Sequence, residues 1–487
     1  MARNVGSRHR CGRWGGLAVG VIACACLPLA APFAHGETLE TALVEAYRNN
    51  PSLNAQRASV RATDEGVPQA LSGYRPKVTV TASGGQQSLS STTKVVSPNL
   101  PATVPPNRPA TYATQSGYNT PFNYGATISQ TLFNGFQTAN KTRQAESQVL
   151  AARATLANTV QTVLLSAATA YMNLLRDGAI LDLQRRNVEV LQEQLRQTRD
   201  RFNVGEVTRT DVAQSESRLA AGRSQVLTAE ANYKASQATY RQVIGVNPGK
   251  LTAAAPVDRF SPRSLPAAVA LGTGSHPSVA SAQYNVDAAL LAVKVAEGAL
   301  LPTVSVQGSY QKNYLAVGSL NTIKSYNASV LGTLSVPIYQ GGAEYSLIRQ
   351  AKETLGQKRL DFDTARDQVR QTVVQSWGQL EAAKSNIEAT HAQVQASEIA
   401  LNGVREEARV GQRTTLDVLN AQQELVNARV SMVSAQRDRV VASYTLLAAV
   451  GRLSPQVLGL HVPAYSPVVH YQQVRDSWAG VRNPDGR

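Results

Sequence analysis

The sequence predicts a mixed α and β fold in which one unit, made of strands and very long helices, occurs twice. Three observations support this fold class. Residue patterns recur at a constant spacing between the two halves of the chain, apolar residues recur every seven positions over long stretches, and short segments alternate apolar with small polar residues. Aromatic residues make up only 6% of the chain, which suits helices packed side by side better than a bulky globular core.

The first segment, residues 1–36, has the pattern of a signal peptide. Residues 15–29 are largely apolar, but Pro28 interrupts the run, so it is too short for a retained membrane helix. Ala34-His35-Gly36 then offers a small-residue cleavage site before Glu37. Four arginines precede the apolar run: Arg3, Arg8, Arg10 and Arg13. The chain is therefore expected to be exported.

All the cysteines of the chain lie in this first segment: Cys11, Cys24 and Cys26. The exported chain would then hold no cysteine for a disulfide or a metal site. An alternative is a lipoprotein, because Val21-Ile22-Ala23-Cys24 loosely resembles a lipoprotein cleavage box. Removing four arginines lowers the formal charge from +15 to +11. The remaining basic residues are spread out and an exported protein meets little nucleic acid, so a nucleic-acid partner is not expected.

The two halves of the sequence resemble each other. From Phe133 to Gly245, adding 206 to a residue number gives its counterpart without a gap. Upstream the offset is 226, so that Pro76 matches Pro302. The change of 20 residues falls in the Pro/Ser/Thr-rich stretch from Ser88 to Tyr118, where the first copy is expected to carry a longer loop.

Each copy contains the same order of predicted elements. A helix of about 25 residues begins at Pro51 or Pro277, since proline suits the first helical position, and Pro76 or Pro302 introduces the first of two strands. About 65 residues of helix follow, then a Val-Gly break and roughly 35 to 40 further helical residues. The predicted segments are a first repeat at 37–250, a second at 251–452 and an irregular tail at 453–487.

Apolar residues spaced by seven predict coiled-coil packing of the long helices. In the first copy they are Val160, Ala167, Leu174, Leu181, Val188, Leu195 and Phe202. A second line is mixed and is expected to be wetter: Val163, Ala170, Asp177, Gln184, Leu191 and Thr198. Helices packed in a large assembly would give this pattern, and so would a soluble antiparallel coiled coil.

Each predicted strand has one apolar face and one face of small polar residues. In the first strand, Val78 and Val80 alternate with Thr79 and Thr81. A half-buried soluble sheet and a membrane barrel both give this pattern. Four strands cannot close a barrel alone, because the smallest such barrels need about eight, and lipid does not tolerate an open edge. A barrel would therefore be shared by several chains.

Taken together, these features resemble the TolC family of outer-membrane channel proteins, from about Glu37 to Gly451. The most specific stretches are Arg201–Val212, reading RFNVGEVTRTDV, and Val410–Ala421, reading VGQRTTLDVLNA. The helix starts at Asn50-Pro51 and His276-Pro277, and the strand start at Leu301-Pro302, also match.

The resemblance implies a homotrimer in the outer membrane of a Gram-negative bacterium, in contact with its lipid. Each protomer would give four strands to one twelve-stranded barrel, which long helices continue as a coiled-coil tunnel across the periplasm. The tunnel would serve a tripartite efflux pump or a type I secretion system. Its partners would be a periplasmic adaptor and an inner-membrane pump of the RND or ABC type. The resemblance implies no enzymatic activity and no cofactor.

The Val-Gly breaks are predicted to be the turns at the far ends of the long helices. Gly205 and Gly411 would supply a positive φ after a helix C-terminus, next to Val204 and Val410. Such turns need no further role, but in the family they form the periplasmic tip that adaptors contact.

Two aspartates follow the breaks at the Thr-x-x-Asp spacing of a helix N-terminus. Thr208 precedes Asp211, and Thr414 precedes Asp417, so helix capping explains both carboxylates. The resemblance adds a gating role, because a ring of Asp417 in a trimer would favour cations in the pore. The family's second acidic ring corresponds to Asn420 here, so that ring would be neutral.

Arg413 matches a family arginine that latches the closed tip, with Asp211 of a neighbouring copy as the expected partner. An exposed loop arginine without such a role is the simpler interpretation. The family's latch tyrosine corresponds to Ala408 here, so the latch is expected to differ.

Three other classes of exported protein are weaker alternatives. A structural coiled coil would not need the alternating strands, and a periplasmic adaptor would have one hairpin rather than two copies of a unit. An enzyme is least favoured, because the histidines show no metal spacing and no nucleophile or nucleotide motif is present.

Overall fold

The computed structural model describes residues 37–94, 112–317 and 321–484. The predicted signal peptide, with Cys24, lies outside these residues. Within the described part of the chain, no helix is both long enough and apolar enough to cross a membrane.

The first half begins with short helices and ends with a long hairpin. Its helices and strands, in chain order, are α1 (Leu39–Asn49), α2 (Pro51–Asp64), α3 (Gly66–Leu71), β1 (Lys77–Gly84), β2 (Gln87–Lys94), β3 (Tyr112–Asn134), α4 (Gln137–Asn203) and α5 (Arg209–Ile244). The helix predicted to run about 25 residues from Pro51 is wrong in its length, because it stops at Asp64. Gly66 and Pro68 follow, and proline lacks the N–H that would continue the ladder.

The second half has a similar order. It comprises α6 (Leu265–Ser275), α7 (Pro277–Gly298), β4 (Thr303–Val317), β5 (Asn321–Ser335), α8 (Ala343–Arg409), α9 (Thr415–Ala449), α10 (Pro455–Leu458) and α11 (Pro467–Val474). Helices α4 and α8 are each 67 residues long, and α5 and α9 have 36 and 35 residues, so the predicted lengths are confirmed. At 1.5 Å per residue, α4 and α8 each span about 100 Å.

The strands form one antiparallel sheet in the order β1, β3, β4, β5. Strand β2 continues along the same side of β3 as β1, so the sheet has four strand positions. The stretch from Ser88 to Tyr118 was expected to be a loop, and that prediction is too broad. Strand β2 runs to Lys94 and β3 starts at Tyr112, so the connection lies outside the described residues.

The register places the predicted faces in line across all four positions. On one face Val80 lies opposite Ala126, which lies opposite Tyr310, which lies opposite Ala328. One residue earlier in β1, the row on the other face consists of Thr79, Thr127, Ser309 and Ser329. The Ser309 and Ser329 hydroxyls are hydrogen-bonded at 2.8 Å. The sheet therefore has one apolar face and one hydroxyl-rich face, as the alternation predicted.

The main core lies where α1, α2, α4, α5 and α9 meet. Tyr171 and Tyr240 are fully buried there, together with Leu43, Leu446 and Leu447. Each fully buried leucine contributes about 2 kcal/mol by leaving water. The Tyr171 hydroxyl, which accepts the Thr252 N–H at 3.0 Å, ties this core to the segment that follows α5.

The second coiled-coil line was predicted to be wetter, and this is wrong. All of its members are buried in the single chain: Val163, Ala170, Asp177, Gln184, Leu191 and Thr198. The Asp177 carboxylate is accommodated because Ser236 of α5 and Arg176 Nε, the latter at 2.8 Å, donate hydrogen bonds to it. Polar partners on α4 itself and on the facing helix thus replace the water that the sequence pattern suggested.

The C-terminal tail, predicted to be irregular, contains α10 and α11. Helix α11 packs on α2, where His470 Nδ1 lies 3.1 Å from Asp64 Oδ2. Asp64 has no exposed side-chain surface, and this burial raises its pKa. A buried carboxylate with a facing imidazole fixes α11 in place, which a free tail would not require.

Candidate functional site: the two hairpin turns

Each long hairpin reverses through the same five-residue turn. In the first, the Gly205 N–H donates to the Phe202 carbonyl and the Glu206 N–H to the Arg201 carbonyl, both at 2.9 Å. In the second, Gly411 and Gln412 make the equivalent bonds at 3.3 and 2.9 Å. This pair of bonds is the Schellman motif, which requires a left-handed residue after the helix.

Glycine supplies that conformation in both turns. Gly205 has φ +80° and Gly411 has φ +79°, values that a side chain would strain. The preceding residues, Val204 and Val410, are 78% and 71% exposed. Each turn therefore presents an apolar side chain to its surroundings at the far end of a hairpin.

Both second helices start with a capping box. Asp211 Oδ2 accepts the Thr208 N–H at 2.9 Å, and Thr208 Oγ1 accepts the Asp211 N–H at 3.3 Å. The Thr414 and Asp417 pair repeats this geometry at 3.0 and 3.2 Å. Capping, the simpler interpretation of the two aspartates, is thus confirmed as a structural role.

Capping also sets the charge of Asp417. Hydrogen bonds from the Thr414 backbone and hydroxyl lower the pKa of Asp417, and the nearby positive charge of Arg413 lowers it further. The carboxylate is therefore ionised at neutral pH while it holds the helix terminus, so a capping aspartate can also present charge to the surrounding solution.

An open groove lies between the two turns of one chain. Predicted site residues from both turns line it: Thr208, Asp211, Ala408, Gly411, Arg413 and Thr414. The groove brings the carboxylate of the first turn and the arginine of the second to one surface. Asp417 and Asn420 follow the second turn, as the third and sixth residues of α9.

Arg413 already has a partner within its own hairpin. Its Nε lies 2.8 Å from Glu407 Oε2, and this neighbour raises the pKa of Arg413. The pair is about half exposed, and ion pairs in such surroundings contribute little free energy. Arg413 can therefore exchange partners at small cost.

The contacts of Ala408 and Asn420 could not be predicted from the sequence. Ala408, the position that the family resemblance assigns to a latch tyrosine, packs against the small cluster of Leu401, Val418 and Leu425. The Asn420 side-chain oxygen accepts a 2.6 Å hydrogen bond from Arg218 on α5, which links the two hairpins. Sequence reasoning missed Arg218. The signal that could have revealed it is a difference between the copies, because the residue at the offset of 206 is Glu424.

These structural features define the class of the protein. A sheet with one apolar and one polar face, continued into helices about 100 Å long that reverse through capped turns, is the architecture of an outer-membrane export channel. The chain belongs to the outer membrane efflux protein family, whose sequence model matches residues 42–246 and 273–452.

Two relatives and one solved structure show which proteins the chain is similar to. The outer membrane efflux protein BepC of Brucella suis is 42% identical over 452 residues, which is 93% of each chain. The outer membrane protein TolC of Escherichia coli is 29% identical over 63% of this chain and 65% of that protein. Crystal structures of CusC share the fold, with a TM-score of 0.70 over 85% of this chain and 92% of that one, at 17% identity.

The predicted resemblance to the TolC family is thus confirmed, as is the predicted function class. The protein is an outer-membrane channel for efflux or secretion in a Gram-negative bacterium, and it extends into the periplasm. Its relatives are channel proteins rather than enzymes. The structural coiled coil and the periplasmic adaptor, the alternatives that the sequence left open, are therefore set aside.

Proposed function

We propose that three copies of the chain form one passive exit duct. Each copy gives four strand positions to a twelve-stranded barrel, and the hairpins continue the barrel as a tunnel. The two similar halves of each chain would then give the trimer a nearly six-fold wall. The duct itself carries out no chemistry, and the pump supplies the energy for transport.

The unpaired sheet edges support this proposal most strongly. Among the described strands, β5 and the β1/β2 position each have a neighbour on one side only. The apolar face carries exposed side chains, with Val80 at 76% and Val330 at 82% exposed. An apolar face suits lipid, but lipid excludes unpaired strand edges, so the edges must be joined to those of other copies.

Mass and conductance test the trimeric duct together. We expect light scattering of the detergent-extracted protein, corrected for detergent, to give three chains per particle. We expect the same particles to conduct ions in planar bilayers. A particle of one chain, or a three-chain particle that never conducts, would refute the proposal.

The groove between the turns supports a gate at the periplasmic tip. In the closed state Arg413 would leave Glu407 for Asp211 of a neighbouring copy, since its present pair is weak. Asp417 would form the charged ring and Asn420 the neutral one. With Ala408 in place of a tyrosine, the arginine would act without an aromatic hydroxyl partner.

The two turns would also contact the periplasmic adaptor. Val204 and Val410 are exposed apolar residues at equivalent positions, and apolar anchors of this kind are typical of protein interfaces.

Changing both to Asp should abolish transport in a channel-deleted host and leave bilayer conductance intact. Leu227 on α5, 68% exposed, provides the matched control for substitution by Asp. Transport retained by the double variant would exclude the valines from the contact.

The pump partner decides the cargo. An adaptor gene beside a proton-driven pump of the RND type would indicate efflux of small molecules or metals. An ATP-driven ABC transporter beside a toxin or protease gene would indicate type I secretion. The outer-membrane channel would be the same in both machines.

A further inference from the structure

Ser477 and Trp478 of the C-terminal tail lie at the base of the sheet, where β1 begins. Arg75, two residues before β1, donates through Nη1 to the Ser477 carbonyl at 2.5 Å. The same guanidinium lies 4.8 Å from the centroid of the Trp478 ring. A residue 402 positions away in sequence is thus held at the level where the sheet starts.

The tail is held there by a series of contacts rather than by one. His470 faces the buried Asp64, and Arg153 lies over the Tyr471 ring at 5.0 Å. Arg475 then lies 3.7 Å from Glu146 of α4. Because these contacts fall within seven residues of one another, the segment that follows them has a fixed starting point.

The held segment nevertheless presents apolar side chains outwards. Trp478 is 71% exposed and Val481 is fully exposed, although both follow a helix that buries His470 and Val474. Other large apolar side chains at the ends of the strands are also exposed, namely Leu132, Phe136 and Ile338. Exposed apolar surface that is anchored at a defined height indicates a binding surface.

A lipid interface is the occupant that this chemistry fits. Tryptophan favours the boundary between acyl chains and head groups, because its ring is apolar while its indole N–H needs a polar partner. Arg75 lies against its ring, and Arg475 and Arg482 lie within four residues of it in the sequence, so these cations would attract lipid phosphates. Arg75, which holds the segment, lies two residues before β1, a strand whose apolar face the proposed barrel turns towards lipid.

We infer that the segment Ser477–Val481 is a membrane-interface anchor, with Trp478 inserted among the phospholipid head groups where the strands leave the membrane. This inference rests on the proposed function, since it requires the sheet to span the outer membrane. The tail would then fix the height of the barrel in the bilayer from outside the sheet.

Quenching of tryptophan fluorescence by brominated lipid tests the anchor. Changing Trp14 and Trp377 to Phe leaves Trp478 as the only tryptophan, because the chain has three. The full-length variant is reconstituted into phosphatidylethanolamine–phosphatidylglycerol vesicles with acyl chains brominated near the head group or near the chain end. We expect strong quenching by shallow bromines, weak quenching by deep bromines and little quenching by aqueous iodide.

A second variant separates failure of the anchor from failure of the barrel. In it Trp478 is also Phe, and Val330→Trp places the single tryptophan on the apolar face of β5. If this strand tryptophan is quenched by lipid and Trp478 is quenched only by iodide or by neither agent, the anchor is disproved while the barrel stands. If neither tryptophan is quenched by lipid, the sheet does not span the membrane and both proposals fail.

Discussion

Arg413 Nε lies 2.8 Å from Glu407 Oε2, six residues back along the same hairpin. This pair engages Arg413 within its own chain, whereas the family resemblance assigns Arg413 to a contact between copies. The partner exchange makes the proposed gate a competition between two carboxylates, Glu407 and Asp211, for one guanidinium.

The first prediction concerns that competition. Arg413→Ala should raise single-channel conductance severalfold, because the closed tip loses its cation, and Asp211→Asn should do the same. Glu407→Gln should lower conductance, since it frees Arg413 for Asp211. Arg409→Ala, which removes a more exposed ion pair with Glu406 in the same hairpin, serves as the control. Bilayer recordings with equal conductance in all four variants would contradict the latch.

The second prediction separates the two roles of Asp417. Asp417→Ala removes both the cap and the charge, whereas Thr414→Ala weakens the same capping box and leaves the carboxylate. Only the Asp417 variant should lower the cation-to-anion permeability ratio severalfold. Reversal potentials in a salt gradient measure that ratio, and a loss of equal size in both variants would mean that helix structure rather than pore charge is responsible.

The pH dependence of selectivity follows from the same carboxylate. Hydrogen bonds from Thr414 hold the pKa of Asp417 below its ordinary value of 3.8. Its charge should therefore persist as pH falls to about 4 and be lost only at lower pH. The selectivity difference between wild type and Asp417→Ala should show this profile. A difference that disappears already near pH 6 would exclude Asp417 as its source.

The third prediction uses a difference between the two halves. His276 Nδ1 accepts the Ser278 N–H at 3.1 Å and caps α7, while the equivalent Asn50 caps α2. Burial lowers the pKa of His276. Below pH 6.5 the unfolded chain therefore binds the proton more readily, and the stability contributed by neutral His276 is lost as pH falls through its folded pKa.

His276→Asn should remove that pH dependence, because the amide oxygen of asparagine caps without titrating. We expect the wild-type melting temperature to drop by a few degrees more than that of the variant between pH 8 and pH 5. Light-scattering melts in detergent provide the measurement. Parallel melting curves for the two proteins at both pH values would count against the role of His276.

The fourth prediction concerns backbone strain at Phe136. This residue has φ +60°, and its counterpart in the second half, Gly342, has φ +85°. Phe136→Gly should be more stable than Phe136→Ala by about 1 kcal/mol, because both lose the aromatic ring but only glycine accepts the left-handed backbone. Chemical denaturation of the two variants tests the difference, and an alanine variant of equal stability would show that no strain is present.

Local signals in the sequence predicted most of the fold. The turns at Gly205 and Gly411 and the caps at Thr208 and Thr414 each depend on a few neighbouring residues, so their chemistry can be read directly. The faces of the sheet could be predicted in the same way, because a strand has a period of two residues and one face is largely apolar.

Single long-range polar contacts could not be predicted. The Asp64 and His470 pair joins residues 406 positions apart, and Arg218 reaches Asn420 across 202 positions. Such a pair leaves no periodic pattern, and many surface residues of the same type make no equivalent contact. The burial of Asp177 escaped prediction for the same reason, since its partner Ser236 lies on another helix.

The one-sided pairing of β5 and the β1/β2 position has a consequence for how the protein is made. If three chains share the barrel, no chain can complete its hydrogen bonds before the other two arrive. Insertion and association would then be one event, and its rate would depend on the third power of chain concentration when chains are scarce. A cell that produces too little of the protein would accumulate uninserted chains with reactive strand edges, the species that quality-control proteases remove.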